Sequence, residues 1–339
     1  MVFLYYNKNN SDFIFKNYGI DALNIETNFK NNSYLLVPHT LEYDEYISMF
    51  YKYKNYNIIF LLDFTFEPYT DLSLVEPFYR AADSLNVNYN KLIMLYNNLY
   101  KTKLNTYLHN QKYINTLSFP RWLFEKHLIK KDVIQDRFNL NTNSFSCFNR
   151  LGRGHKKKIV DYIGDINLDS FTTYKISEDY PTTNRNISEI PEGIHENITN
   201  NWFYKGKVNI CVETLYYSVI NNNSCFDDIL HITEKTMRNI MLKIPFVLVG
   251  NRYTLARMRS FGFKTFNSII DESYDEMDDS IRYIKSIESG KQLLSVWDSD
   301  EVQYILDYNW NILTSKNHIN TLFDSLFIFP LKKHMNNLV

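Results

Sequence analysis

A chain of 339 residues is long enough for about two domains on the usual scale of roughly 100–200 residues each, so it can bury a core without disulfide or metal staples. Its 45% apolar and 22% charged residues exclude a disordered composition, and 37 Lys and Arg against 38 Asp and Glu exclude the global positive field of a nucleic-acid binder while leaving a local basic patch open. Nine glycines and eight prolines exclude collagen-like and glycine-linker designs, and Cys147, Cys211 and Cys225, without a C-x-x-C pair, exclude a disulfide framework or a cysteine zinc site and point to a reducing compartment.

The opening run Met1-Val2-Phe3-Leu4-Tyr5-Tyr6 lacks the basic region and small-residue cleavage site of a signal peptide, and reads as a first strand. No apolar run approaches the ~18 residues needed to cross a bilayer. A cytoplasmic location is expected, the host cytoplasm if the source is viral; the abundance of Asn, Lys, Ile, Tyr and Phe suggests an AT-rich genome such as a phage's.

Along the chain, short β-rich runs alternate with helical patterns. The expected strands are Val2–Tyr6, Tyr34–Pro38, Asn57–Leu62, Lys91–Tyr96, Ser144–Phe148, Val208–Glu213 and Pro245–Val249. The expected helices are Leu41–Lys54, Leu74–Asn86, Arg121–Lys130, His155–Ile163, Glu234–Lys243, Tyr253–Phe261 and Glu276–Ser289, with a closing helix at about Asp300–Asn320. Strands interleaved with helices predict an α/β fold with parallel sheets covered on both faces. The polar stretch Asn139–Asn143 marks a boundary between two Rossmann-like domains, residues 1–140 and 141–339, with the last helix packing back on the first. Two such domains facing each other leave a cleft at the carboxyl ends of their strands, where open α/β sheets take ligands. Residues 177–207, strongly polar, read as a functional loop.

The most informative segment runs from Asp227 to Gly250. Thr233 suits an N-cap, Met237, Ile240, Met241 and Ile244 form one apolar stripe, and Pro245 stops the helix before a buried strand. Glu234 and Lys235 then sit in the first helical turn, where free N–H groups and the helix dipole attract a phosphate and a carboxylate can accept from a ribose diol. A plain surface helix with a dipole-favouring Glu and a solvated Lys accounts for the same residues.

The run Val212-Glu213-Thr214, then His231-Ile232-Thr233-Glu234-Lys235, Arg238-Asn239 and Ile244-Pro245-Phe246-Val247-Leu248-Val249-Gly250 resembles the donor-binding signature of the α1,3-fucosyltransferases, glycosyltransferase family 10. It is also similar to phage-encoded glycosyltransferase-like proteins with Thr-Glu-Lys-Thr and a following Pro-Phe strand. Val212 and Thr214 stand where the family has Phe and Asn, and His231 where it has Tyr. The resemblance implies the two-domain GT-B fold, an inverting transfer, and a GDP- or UDP-linked sugar held by Glu213, His231, Thr233, Glu234 and Lys235.

A second cluster follows the strand Ser144–Phe148: Asn149-Arg150-Leu151-Gly152-Arg153-Gly154-His155-Lys156-Lys157-Lys158. Two arginines in a glycine-containing strand-to-helix loop offer bidentate donors to phosphate oxygens, so Arg150 and Arg153 are expected as a pyrophosphate clamp and the lysines as surface or acceptor contacts. A solvated basic helix start is the alternative.

In the first half, Asp63-Phe64-Thr65-Phe66-Glu67-Pro68 follows a buried strand. A strand-end carboxylate suits the general base that takes the acceptor hydroxyl's proton; Glu67, whose Phe66-Glu67-Pro68 also resembles a fucosyltransferase Phe-Glu-Ser-Pro, comes first and Asp63 second, against a turn or capping carboxylate. Asp298-Ser299-Asp300 has D-x-D spacing but precedes a long helix, where it reads as a cap, and no bound metal is expected. The expected activity is therefore glycosyl transfer, residues 1–140 taking a glycan or other hydroxylated acceptor and residues 141–339 the nucleotide sugar. The alternatives are a phage-type transferase acting on 5-hydroxymethylcytosine in DNA, and a catalytically silent binding or structural protein on the same fold.

Overall fold

The apolar runs assemble into two parallel sheets. The computed structural model describes residues 2–5, 33–38, 41–56, 58–64, 76–96, 115–118, 143–149, 154–173, 187–188, 204–214, 216 and 232–336. The expected helix at Arg121–Lys130 lies outside them. Two compact units divide the chain, Met1–Phe124 with Phe323–Val339, and Glu125–Leu322. Among the described residues no helix is long and apolar enough to cross a membrane.

The first unit holds β1 (Val2–Tyr5), β2 (Ser33–Pro38), β3 (Ile58–Phe64), β4 (Leu92–Tyr96) and β5 (Asn115–Ser118), all parallel and in sequential order. Ile58 to Leu62 are buried throughout, as a strand covered on both faces requires. Helices α1 (Tyr43–Tyr53) and α2 (Glu76–Ser84) turn Tyr46, Met49, Phe50 and Phe78 inward. Phe50 joins them to the sheet: its ring meets Phe60 edge-on at 4.8 Å and Phe78 at 5.2 Å. The end of the chain returns to this unit, with Phe327 and Leu331 fully buried and His334 Nε2 donating to the Asn90 carbonyl at 2.9 Å.

The second unit contains β6 (Asn143–Phe148), β7 (Ser170–Thr173), β8 (Ile187–Ser188), β9 (Gly206–Val212) and β10 (Phe246–Val249), in the order β10-β9-β6-β7-β8. Asn143, the last residue of the expected linker, opens β6. The chain starts in the middle, moves outward to one side, then returns to build the other. This is the 3-2-1-4-5 order of a doubly wound sheet, and it creates a switch point between β6 and β9. Gly206 is required where the two meet, since a Cβ there would lie 2.2 Å from the Ser146 backbone nitrogen.

Helix α3 (Gly154–Asp165) follows β6; α4 (Glu234–Met241) precedes β10. After β10 come α5 (Thr254–Ser260), α6 (Asp279–Leu294), α7 (Asp300–Thr314) and α8 (Lys316–Phe323). Gly290 of α6 packs on Phe145 and Val247, whereas Thr236 of α4 lies against Cys211, which points to the opposite face by strand alternation. Both faces of the sheet are thus covered. The expected N-cap at Thr233 forms, its Oγ1 accepting from Lys235 N at 3.3 Å. The helix ends at Met241 rather than Lys243, in a Schellman turn: Ile244 N reaches the Asn239 carbonyl at 2.9 Å and Lys243 N the Ile240 carbonyl at 3.1 Å, with Lys243 at φ 51. Lys243, in this left-handed position, pairs with Asp307 at 2.7 Å from its Nζ. The closing helix is also shorter than expected; Ser315, at ψ 111, ends α7, and its Oγ accepts from His318 N at 3.3 Å to start α8. Ser299 of the D-x-D triplet caps α7, accepting from Val302 N at 3.4 Å.

Candidate functional site

Three chain segments meet at the carboxyl edge of the second sheet: the ends of β6, β9 and β10. Strand β9 delivers Glu213, fully buried, directly beneath the start of α4. Its carboxylate accepts from Thr233 N at 3.0 Å, Thr233 Oγ1 at 2.6 Å, Thr214 N at 3.3 Å and Thr236 Oγ1. Four donors engage both carboxylate oxygens. Glu213 therefore fastens the strand to the helix cap and positions Thr233.

Lys235 lies over that cap. Its Nζ donates to Thr214 Oγ1 at 2.8 Å and reaches Thr233 Oγ1 at 3.4 Å, with Glu234 Oε1 at 3.5 Å. The side chain keeps 26% of its surface exposed, so the ammonium is anchored and still open to a ligand. For Glu234, burial pulls the pKa upward, but the Lys235 charge, the residue's own backbone N–H and Arg238 outweigh it, leaving the carboxyl below its ordinary value. It is ionised near neutrality and can accept hydrogen bonds from hydroxyls.

On the β6 side, α3 begins at Gly154. His155 is 4% exposed; its Nε2 lies 3.2 Å from the Glu213 carbonyl, which can only accept, so Nε2 carries the proton. The ring stacks on Tyr216 with centroids 5.5 Å apart. This contact ties the first turn of α3 to the end of β9. Lys156, expected as a surface or acceptor contact, is as buried as His155, its charge acting on the Cys147 thiol. The correction has a helical cause: position 156 faces inward in the first turn with His155, Ile159 and Val160.

Arg282, fully buried on α6, closes the same edge from beneath. Its guanidinium donates to the carbonyls of Tyr216 at 2.6 Å, Met277 at 2.7 Å and Gly250 at 3.0 Å, and to Asp279 Oδ1 at 2.5 Å. Its Cζ also sits 4.5 Å from the Tyr216 ring centroid. Sequence reasoning missed this residue, because an arginine on an amphipathic helix reads as solvated.

Of the residues expected from sequence, Glu213, Thr233, Glu234 and Lys235 are brought together here. Arg150, Arg153, His231 and Glu67 lie outside the described residues, although Asn149 and Gly154 place the ends of the loop carrying the two arginines at this edge. Asp63 belongs to β3, in register with Pro38 and Leu95 in the first unit. The arrangement offers an anchored cation and two helix N-termini at one switch point, the chemistry that receives a phosphate. Among the described residues, no group of three or more His, Cys, Asp or Glu is placed to hold a metal ion.

No family model matches the chain, and no curated protein matches it. Among solved structures it is similar to phage T4 BGT, in a mutant form in complex with UDP-glucose, at 12% identity and a TM-score of 0.47, the match covering 98% of each chain.

Proposed function

We propose that this chain is a glycosyltransferase of the two-domain GT-B class, which binds a nucleoside-diphosphate sugar, GDP- or UDP-linked, at the carboxyl edge of its second sheet and passes the sugar to an acceptor hydroxyl. The observation that carries this reading is the braced start of α4, where Glu213 fixes Thr233 and Lys235 stands anchored and half-buried at the β6/β9 switch point. Lys235 meets the diphosphate, together with Arg150 and Arg153; His231 lines the same site, and Glu234 takes the ribose hydroxyls. Glu213 acts through Thr233. The acceptor oxygen loses its proton to Glu67 and attacks the anomeric carbon in line; the bond from that carbon to the phosphate oxygen breaks, and the nucleoside diphosphate leaves with the electron pair. Configuration is inverted. Lys235 and the arginines stabilise the charge that grows on the leaving group.

A thermal-shift screen of GDP-, UDP-, ADP- and CMP-linked sugars tests the donor site, because a ligand that binds only the folded state raises its apparent stability. One of the first two is expected to stabilise the protein; no shift with any of the four would remove the site. Lys235→Ala is expected to weaken donor binding by about 1.5–3 kcal/mol, the scale of a hydrogen bond to a charged group. Unchanged affinity in a folded variant would displace the diphosphate from α4.

Because side-chain cations face the diphosphate here, transfer is expected to continue in EDTA. Loss of activity on chelation, restored by Mn²⁺ and abolished by Asp300→Asn, would assign that work to a metal on the D-x-D triplet instead.

A further inference from the structure

One buried polar group at the carboxyl edge of β6 has an unused face. Asn149 immediately follows the strand and is 1% exposed. Its Nδ2 donates to Cys147 Sγ at 3.2 Å, while Oδ1 has no partner among the described residues. Buried amide oxygens are rarely left this way, because an unmade hydrogen bond costs the full desolvation of the group. By strand alternation Asn149 shares the face of Phe145 and Cys147, to whose sulfur its amide is bonded; α3 starts five residues on at Gly154, and the Phe145–Val208 register, continued along the strands, brings Asn149 level with Val212. A helix N-terminus and an unsatisfied buried carboxamide therefore converge at the place where a doubly wound sheet takes its ligand.

The chemistry of the missing partner follows from the amide. A phosphate oxygen cannot donate to Oδ1. A hydroxyl can, while Nδ2 stays on the Cys147 sulfur. That thiol stays protonated, since burial pushes its pKa up to about 12. Within the donor, hydroxyls lie on the ribose and on the transferred sugar, at opposite ends of the diphosphate. Glu234 on the α4 side takes the ribose, so the sugar falls on the α3 side.

We propose, resting on the donor site described above, that the Asn149 carboxamide binds a hydroxyl of the transferred sugar and so selects which sugar is accepted. The test compares the nucleotide sugar that stabilises the wild-type chain most with its parent nucleoside diphosphate, by calorimetry, in wild type, Asn149→Ala and the isosteric Asn149→Asp. Asn149→Ala is expected to lose about 5- to 30-fold in affinity for the sugar nucleotide, the range for an uncharged hydrogen bond with one partner removed, and nothing for the nucleoside diphosphate. Should Asn149→Ala fail to fold, wild type is titrated with the monodeoxy analogues of the sugar. One of them is expected to lose the same factor against wild type and to lose affinity again against Asn149→Asp relative to the parent sugar, because the aspartate keeps the accepting oxygen. Equal losses for sugar nucleotide and nucleoside diphosphate, or no loss, would overturn the contact. Absence of binding by the wild-type chain to any nucleotide would instead remove the donor site itself.

Discussion

Replacing Glu67 by Gln is expected to lower turnover by about 10²- to 10⁴-fold, the contribution of general-base catalysis, while donor affinity hardly changes. Gln keeps the shape and hydrogen-bonding reach of Glu and removes its basicity, so a loss confined to turnover isolates the proton transfer. The expectation rests on the strand that Glu67 follows in sequence. β3 is the central strand of five, held on both sides by β2 and β4, and its last residue, Phe64, is in register with Tyr96. Glu67 comes three positions later in the sequence, and a base must be held near its substrate to act. Steady-state kinetics with the preferred donor decides the matter. If Glu67→Gln retains its turnover and Asp63→Asn loses it, the base is Asp63; if both remain active, the acceptor lies elsewhere.

Arg282→Met is expected to destabilise the second unit by about 3–5 kcal/mol, the usual cost of breaking a buried ionic network from one side. The substitution keeps a long apolar stem and removes every donor. It leaves the carbonyls of Tyr216, Met277 and Gly250 without this donor and the Asp279 carboxylate without its cation. Those carbonyls belong to the chain after β9, the approach to α6 and the end of β10, so one guanidinium fixes three separate pieces of the ligand-facing edge. Arg282→Lys keeps the charge without the planar fork and is expected to fall between the two. Denaturant unfolding measures the loss as a lower midpoint at unchanged m. A midpoint within experimental scatter of wild type would show that the three loops hold themselves.

The elements legible in sequence were those whose signal is apolar. The strands around Ile59, Ile93, Ile210 and Val247 announce themselves as buried runs, and the stripe Met237, Ile240, Met241 with the cap at Thr233 announces α4. Strands β5, β7 and β8 did not, because they are short and polar. In β7 the hydroxyls of Ser170 and Thr172, two apart on one face, satisfy each other at 2.9 Å, so a polar strand can be buried without an apolar pattern. The break at Ser315 involves neither glycine nor proline; a serine that ends one helix and caps the next has a signal only in hindsight. At the site, Thr233, Glu234 and Lys235 were readable because cap and first turn are local. Glu213 was found only by resemblance, and its use as a four-donor clamp depends on a helix start twenty residues later. Arg282 and Asn149 had no signal in the sequence, since the first is defined by carbonyls that distant segments bring to it and the second by an amide oxygen left without a partner on folding.

The return of the chain end to the first unit sets an order of events during synthesis. The second unit is one continuous stretch, Glu125–Leu322, and has all its strands as soon as that stretch has left the ribosome. The first unit is made of two pieces, and it lacks Phe327, Leu331 and the His334 bond to Asn90 until residues 327–334 are translated. The half that emerges first is thus finished last. A newborn chain spends the whole synthesis of residues 125–322 with the five strands of that sheet made and their C-terminal cover still to come, an interval in which apolar surface stays open to chaperones and to misassembly.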